Sequence, residues 1–174
     1  MTTTWPEPVE RVADFLRQSG AEARIEEFEE GTPTAADAAR AAGCGVDQIV
    51  KTVVLVAEGT AVVALVPGDR RADTKKIAAA VGARKARIAS ADEVERSTGF
   101  TPGGVAPFPL PQVRRIVAER TLLTHDLVWV GAGSERHMAA VQPRELLRLA
   151  RAEPEDVVQE SAPDRPLDPG GKLT

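Results

Sequence analysis

Three short stretches of the sequence combine residue types that could do chemistry. Lys51 is the one charged residue of the apolar run IVKTVVLV, where a lysine reaches water, pairs with an acid or points into a pocket. Residues 98–107, TGFTPGGVAP, place Gly103 and Gly104 among prolines, and their bare backbone N–H groups can hold an oxyanion. Residues 131–134, GAGS, end a later predicted strand. A solvated lysine and two ordinary connections are the alternatives that these residues leave open.

Better-known catalytic motifs are absent. The sequence has no phosphate-binding loop of the GxxxxGK type and no GxSxG nucleophile elbow. The GAG of residues 131–133 lacks the third glycine of a dinucleotide site, because Arg136 stands there. Cys44 has no base beside it and is interpreted as a small, unreactive thiol. One cysteine and two histidines, His125 and His137, are a poor set of ligands, so we predict no metal and no cofactor.

The elements that must position these residues follow from periodicity and from helix caps. Apolar spacing predicts a helix over 7–19, and two β-branched runs around Glu58-Gly59 predict a hairpin over 51–69. Further helices are predicted after Thr34, Asp73 and Ser90 and from Pro143. Further strands are predicted over 23–28, 86–88, 113–119, 126–133 and 137–141, with an irregular segment over 99–112. This order predicts an α+β fold with a mixed, mostly antiparallel sheet and helices around it.

Composition limits the class of protein. The chain has 174 residues, 43% of them hydrophobic and 3% aromatic, which predicts an aliphatic core and argues against stacking of RNA bases on several rings. We predict one domain over 1–151 and an acidic, proline-rich tail over 152–174 that is partly disordered. Neither a signal-peptide pattern nor a membrane-spanning pattern is found, so a cytoplasmic location is expected.

Charge is unevenly distributed. The formal net charge is −4, yet residues 70–87 carry seven bases against one acid, Asp73. The first four of these bases are Arg70, Arg71, Lys75 and Lys76. A local basic patch on an acidic protein can contact a polyanion, and a solvated helix face is the alternative interpretation.

Four stretches, taken in order, resemble the YbaK/EbsC family: IVKTVVL, GDRRADTKKIAAAVGARKARIAS, EVERSTGFTPGGVAPF and VWVGAGSERHMAAVQPRELLRLA. This family comprises stand-alone relatives of the editing domain inserted in bacterial prolyl-tRNA synthetases, and the resemblance covers residues 8–151. It implies a mixed fold with a central, partly barrel-like sheet. It also implies the hydrolysis of amino acids wrongly attached to tRNA and a transient complex with prolyl-tRNA synthetase.

The resemblance implies roles for individual residues. Lys51 is expected to contact the terminal phosphate or the ester of an aminoacyl-tRNA, and the loop with Gly103 and Gly104 to offer N–H donors. The basic residues Arg70, Arg71, Lys75 and Lys76 are expected to meet the acceptor end of the tRNA. The implied substrate-binding residues are Phe28, Thr32, Thr52, Gly99, Gly131, Gly133, Ser134 and His137.

One position departs from the family pattern. Met138 stands where a cysteine-specific relative has an acid, and His137 is the adjacent polar side chain. The amino acid that is removed therefore stays open among Cys, Ala and other small residues on tRNA(Pro). Two further readings are a tRNA- or nucleotide-binding module without turnover and a small-molecule hydrolase on the same scaffold.

Overall fold

The computed structural model describes residues 4–160, which form five α-helices and one eight-stranded mixed sheet. The helices are α1 Glu7–Gln18, α2 Ala35–Ala42, α3 Thr74–Ala80, α4 Ala91–Thr98 and α5 Pro143–Ala150. The strands are β1 Arg24–Glu27, β2 Ile49–Ala57, β3 Thr60–Pro67, β4 Ala86–Ile88, β5 Arg115–Glu119, β6 Val128–Ser134, β7 His137–Val141 and β8 Glu153–Glu155. Among these residues, no helix is both long and apolar enough to cross a bilayer.

The sheet has the strand order β1-β7-β6-β2-β3-β5-β8, and β4 pairs with β2 outside that path. Three strand pairs, β2–β6, β3–β5 and β5–β8, are parallel, whereas the others are antiparallel. The predicted mixed fold is therefore confirmed. The sheet does not close into a barrel, because β1 and β8 lie at its two ends.

Local chemistry sets the ends of several elements. Glu58 and Gly59 both have positive φ, 51° and 81°, as a tight hairpin turn between β2 and β3 requires. The Thr34 side chain accepts from the Asp37 N–H at the start of α2. At the start of α4, Ser90 and Glu93 form a reciprocal capping box. The predicted hairpin and caps are thus confirmed, since each depends on residues close together in sequence.

The core is almost wholly aliphatic and lies on both faces of the sheet. On one face, α1 and α5 pack with Phe100 and Phe108, both about 1% exposed, against β2, β3 and β6. On the other face, Ile77 of α3 and Val157 pack against Val66 and Val117. Burial of these apolar side chains is the main stabilising contribution to the fold.

The packed fold continues past residue 151, where the domain was expected to end. Strand β8 pairs with β5, and Val157 and Val158 are buried. We call residues 153–160 the C-terminal segment. The tail was expected over 152–174, and residues 161–174 lie outside the described part of the chain.

Candidate active site

A cavity opens where two parallel strands separate. Strand β6 pairs with β2 only at Ile49 and Val50, and β4 takes the same edge of β2 from Leu55 onward. Between these contacts, Lys51 and Thr52 face a gap that neither neighbouring strand fills. The cavity has a volume of about 210 Å³.

The walls of the cavity come from five parts of the chain. The start of β2 forms one wall, and β6 and β7 form the second with Gly131, Ser134 and Met138. The loop around Gly103 and the N-terminal end of α2 close the remaining sides. The lining residues are Thr32, Pro33, Thr34, Ala35, Ala38, Ile49, Val50, Lys51, Thr52, Gly103, Val105, Gly131, Ser134, His137 and Met138.

The Lys51 ammonium is held by a backbone carbonyl. Its Nζ donates to the carbonyl oxygen of Arg70 at 2.5 Å, in the loop that follows β3. An ammonium has three N–H donors, so this bond leaves two of them for a ligand. Partial burial lowers the pKa of Lys51, nearby Asp69 raises it and Arg71 lowers it. The structure thus presents Lys51 as an oriented cationic donor at the cavity.

Two buried polar atoms on the cavity wall have no hydrogen-bond partner within residues 4–160: Thr52 Oγ1 and His137 Nε2. His137 is only 3% exposed, although β7 is a short strand near the edge of the sheet. Leaving a buried polar atom unpaired costs about 1–3 kcal/mol, so these two atoms are candidates to hydrogen-bond a ligand.

A short polar network fixes the ring of His137. Ser134 Oγ lies 2.5 Å from His137 Nδ1 and accepts from the backbone N–H of Arg136. The Trp5 ring packs edge-on against the imidazole at 5.7 Å. Burial lowers the pKa of His137, Glu27 raises it and Arg136 lowers it. We assign the tautomer in which Ser134 donates to Nδ1, so that Nε2 carries the proton.

Glycines let the loop around Gly103 pack closely against strand β6. A Cβ on Gly131 would lie 2.9 Å from the carbonyl oxygen of Val105, and one on Gly104 would lie 3.1 Å from Ser134 Cα. The N–H of Gly104 donates to Thr101 within its own turn. Gly104 is therefore a packing residue, and Gly103 is the glycine of this loop that lines the cavity.

Three of the expected substrate-binding residues lie away from the cavity. The Phe28 ring packs on Trp129 at 6.0 Å, in a cluster behind the wall. Gly99 has φ 74° and ends α4, where its carbonyl accepts from Arg11. Gly133 packs against the backbone of Pro8, since a Cβ there would lie 2.7 Å from the Pro8 oxygen. Thr32 does line the cavity and donates to the carbonyl of Glu135.

The four predicted tRNA-binding residues differ in their exposure and in the hydrogen bonds that they already make. Arg71 and Lys75 are exposed, whereas Arg70 and Lys76 are half-buried. Arg70 donates to the carbonyl of Gln159. Lys76 donates to both carboxylate oxygens of Asp156 and to the carbonyl of Val158. The C-terminal segment thus occupies part of the basic cluster.

Sequence reasoning missed the carbonyl of Arg70 and the wall formed by Ala35 and Ala38. Backbone atoms and small apolar side chains have no chemical signature in a sequence, so no local signal identifies them.

A larger cavity of about 650 Å³ lies beside the first residues of β5 and contains none of the predicted site residues. Burial and Asp47 both raise the pKa of Cys44, as expected for an unreactive thiol.

No group of three His, Cys, Asp or Glu side chains arranged for a metal occurs between residues 4 and 160. The ionisable side chains that line the cavity are Lys51 and His137. The cavity therefore offers one cationic side chain and several hydrogen-bonding groups.

Comparison with known proteins identifies the class. Residues 29–149 match the aminoacyl-tRNA editing domain family, and the chain belongs to this family. A protein of Enterococcus faecalis (strain ATCC 700802 / V583), named "Putative Cys-tRNA(Pro)/Cys-tRNA(Cys) deacylase EbsC", is 27% identical over 121 residues, covering 69% of this chain and 74% of that protein. The resemblance to the YbaK/EbsC group is thereby confirmed.

Two further similarities point the same way. The proline–tRNA ligase of Nitratidesulfovibrio vulgaris (strain DP4) is 38% identical over 101 residues, covering 57% of this chain. The matched part is 17% of the ligase, so the chain corresponds to one portion of that enzyme. The crystal structure of "a putative trans-editing enzyme for prolyl tRNA synthetase" has a TM-score of 0.84 and 34% sequence identity, covering 90% of this chain and 100% of the other.

Proposed function

We propose that this protein hydrolyses the ester that joins a small amino acid to the terminal ribose of a tRNA. The observation that carries the proposal is the oriented Lys51 ammonium beside a cavity of about 210 Å³ with two unpartnered polar atoms. That volume lies below the range of about 300–1,000 Å³ that holds drug-sized ligands, and it suits a single small side chain with its ester.

The proposed reaction is the addition of water to the ester carbonyl. The oxygen of water bonds to the carbonyl carbon, the bond from that carbon to the ribose oxygen breaks, and a proton passes to the ribose oxygen. An aminoacyl ester is already activated, so the enzyme gains most by positioning the reactants and stabilising the oxyanion. Lys51 supplies the positive charge, and the N–H of Gly103 supplies a neutral donor beside it.

Thr52 and His137 are proposed to hold the amino acid or the attacking water. The Thr52 hydroxyl can donate and accept, and the neutral His137 ring offers Nε2–H. Since both atoms lack a protein partner within the described residues, a bound substrate gains their hydrogen bonds without breaking existing ones. His137 was expected to contribute polarity beside Met138, and its place on the cavity wall supports that expectation.

We propose that the cavity selects the amino acid to be removed by excluding large side chains. The backbones of Gly131 and Val105 are in close approach, and Met138 closes the wall behind them with an apolar surface. A hydrophobic pocket gains only about 10–200-fold discrimination from one methylene, so a narrow cavity discriminates best against side chains too large to enter. Cys and Ala are therefore the proposed substrates on tRNA(Pro), and Pro is the excluded residue.

The exposed charges of Arg71 and Lys75 are proposed to contact the phosphates of the acceptor end, with Arg70 beside them and Lys76 already bound to the C-terminal segment.

We also propose a transient complex with prolyl-tRNA synthetase, which would supply specificity for tRNA(Pro). The relative described as acting for that synthetase supports this proposal. Adding the synthetase should then raise the deacylation rate on tRNA(Pro).

Single-turnover deacylation of Ala-tRNA(Pro) and Cys-tRNA(Pro) tests the role of Lys51. Lys51→Met should lower the rate constant by about 10²–10³-fold, as expected for the loss of an oxyanion donor. Lys85→Met removes an exposed lysine and is the matched control. If Lys51→Met is folded and keeps a rate within threefold of the wild type, the proposed chemistry is wrong.

A binding module without turnover is the second candidate. It is favoured by the absence of a carboxylate among the residues that line the cavity. Tight binding of a charged tRNA with no release of any amino acid, with or without the synthetase, would favour it over the enzyme.

A further inference from the structure

The C-terminal segment packs tightly although half of its residues are acidic. Val157 is fully buried and Val158 is 3% exposed, and both belong to the apolar cluster beneath α3. The buried carboxylate of Glu119, 2% exposed, accepts from the N–H of Val157 and anchors the segment at the end of β5. These contacts make residues 153–160 an integral part of the domain.

The segment binds the loop 70–73 and the first turn of α3 through six hydrogen-bonded contacts, one of which runs from Gln159 Nε2 to the Ala72 carbonyl at 3.4 Å. Two are backbone bonds at 2.8 Å, from the N–H of Asp73 to the Val157 carbonyl and from the N–H of Gln159 to the Arg71 carbonyl. The other contacts are Arg70 Nη2 to the Gln159 carbonyl at 2.6 Å, Lys76 Nζ to the Asp156 carboxylate at 3.0 Å, and Lys76 Nζ to the Val158 carbonyl at 2.9 Å.

The same loop carries the carbonyl that orients Lys51. Arg70 therefore takes part in two contacts: its guanidinium is held by the C-terminal segment, and its carbonyl holds the Lys51 ammonium. The position of the Arg70 carbonyl, and with it that of the Lys51 ammonium, therefore depends on how firmly the loop is held. Within the loop, the backbone N–H of Arg70 bonds only to the nearby Pro67 carbonyl. The backbone bonds that tie the loop to another part of the fold are those to the C-terminal segment.

We propose that the C-terminal segment is a positioning element for Lys51, acting through the loop 70–73 and the carbonyl of Arg70. The effect on catalysis rests on the proposed function, whereas the effect on Lys51 itself does not. Lys76 and Asp156 are positioning residues in this account, because neither of them lines the cavity. Lys76 was expected to bind tRNA, and its contacts with Asp156 and Val158 assign it this different task.

Neighbouring lysines give a matched test. Lys76→Met and Lys75→Met each remove one positive charge from adjacent positions of α3, but only Lys76 holds the C-terminal segment. Asp156→Asn breaks the same ion pair while making the protein less negative, which by itself favours tRNA binding. Lys76→Met and Asp156→Asn should both lower kcat by about three- to tenfold with little change in KM, since a misplaced group weakens the transition state. Lys75→Met, at a proposed tRNA contact, is the charge control and should raise KM. Lys85→Met removes an exposed lysine that neither contacts the C-terminal segment nor belongs to the proposed tRNA contacts, and it should leave kcat unchanged.

A second readout follows Lys51 without using activity. The pH dependence of its modification by an amine reagent, measured by mass spectrometry on the full-length folded variants, gives the pKa of Lys51. In Lys76→Met and Asp156→Asn the loop is released and Lys51 reaches water, so its pKa should rise towards the ordinary lysine value. In Lys75→Met it should match the wild type.

The outcomes separate this inference from the proposed function. If the Lys51 pKa moves in the two segment variants but no variant has deacylase activity, the positioning role stands and the proposed function fails. If all variants are folded and active, with the Lys51 pKa and kcat unchanged, the positioning role is wrong and the proposed function stands. A fall in kcat for Lys76→Met with none for Asp156→Asn would show that Lys76 acts through its charge on tRNA and would also overturn the inference.

Discussion

Replacing Gly131 by alanine should disable the cavity while the fold stays in place. The new Cβ would lie 2.9 Å from the carbonyl oxygen of Val105, and ordinary contact begins at 3.4 Å, so one of the two backbones must move by about 0.5 Å. The clash is with a backbone oxygen, so it cannot be relieved by the rotation of a flexible side chain. The loop that carries Gly103 is the movable partner, and its displacement widens or tilts the cavity wall.

The expected magnitudes follow from that displacement. Overpacking costs about 1–3 kcal/mol of the free energy of unfolding, which for a domain of this size lowers Tm by about 3–10 °C. Misplacement of reacting groups by 1 Å can cost about 10²-fold in rate, so a shift of half that size should lower kcat by about tenfold.

Gly82→Ala is the matched control for this prediction. Gly82 has φ 74° and nothing within 4 Å of an added Cβ, so alanine there costs about 1–2 kcal/mol of backbone strain far from the cavity. Melting curves and single-turnover deacylation of Ala-tRNA(Pro) should therefore show similar losses of stability in the two variants and a loss of rate in Gly131→Ala alone. Equal rates in both would refute the assignment of this wall to the active site.

Three further predictions concern polar groups. Thr52→Val removes the buried hydroxyl that lacks a partner, so it should raise the free energy of unfolding by about 1 kcal/mol while lowering kcat; a lower Tm with unchanged kcat would contradict this. Because burial lowers the pKa of His137, the folded chain resists a proton that the unfolded chain binds near pH 6.5 and below. Stability should therefore fall as the pH drops from 7 through 6.5 and towards the lower folded pKa, and urea titrations should show this loss reduced in His137→Gln. Lys75→Met should reduce the slope of log affinity for tRNA against log salt by about 0.7–0.9, and an unchanged slope would place the phosphate contacts elsewhere.

Much of the fold is predictable from the sequence because its signals are local. The turn at Glu58-Gly59 and the caps at Thr34 and Ser90 each depend on residues within a few positions of one another. The parallel pairing of β2 with β6 joins segments about 80 residues apart and has no local signal. The separation of these two strands, which creates the cavity, was therefore not predictable.

The candidate site was predicted in part for the same reason. Lys51 was identifiable because a charge interrupts an apolar run, and the glycines around 103 and 131 because they break regular structure. Phe28 was expected in the site on its position before α2, yet its ring packs with Trp129. The C-terminal segment was overlooked because its four acids and Pro154 outweighed Val157 and Val158, the short apolar pair that is buried.

Release of amino acids from a panel of charged tRNA(Pro) tests the central claim most directly. The purified protein would be incubated with tRNA(Pro) carrying Ala, Cys, Ser or Pro, and the surviving ester would be measured over time. The cavity of about 210 Å³ predicts rapid loss of at least one small amino acid and a rate for Pro at least tenfold lower. Equal hydrolysis of all four esters, or of none with prolyl-tRNA synthetase present, would contradict the account.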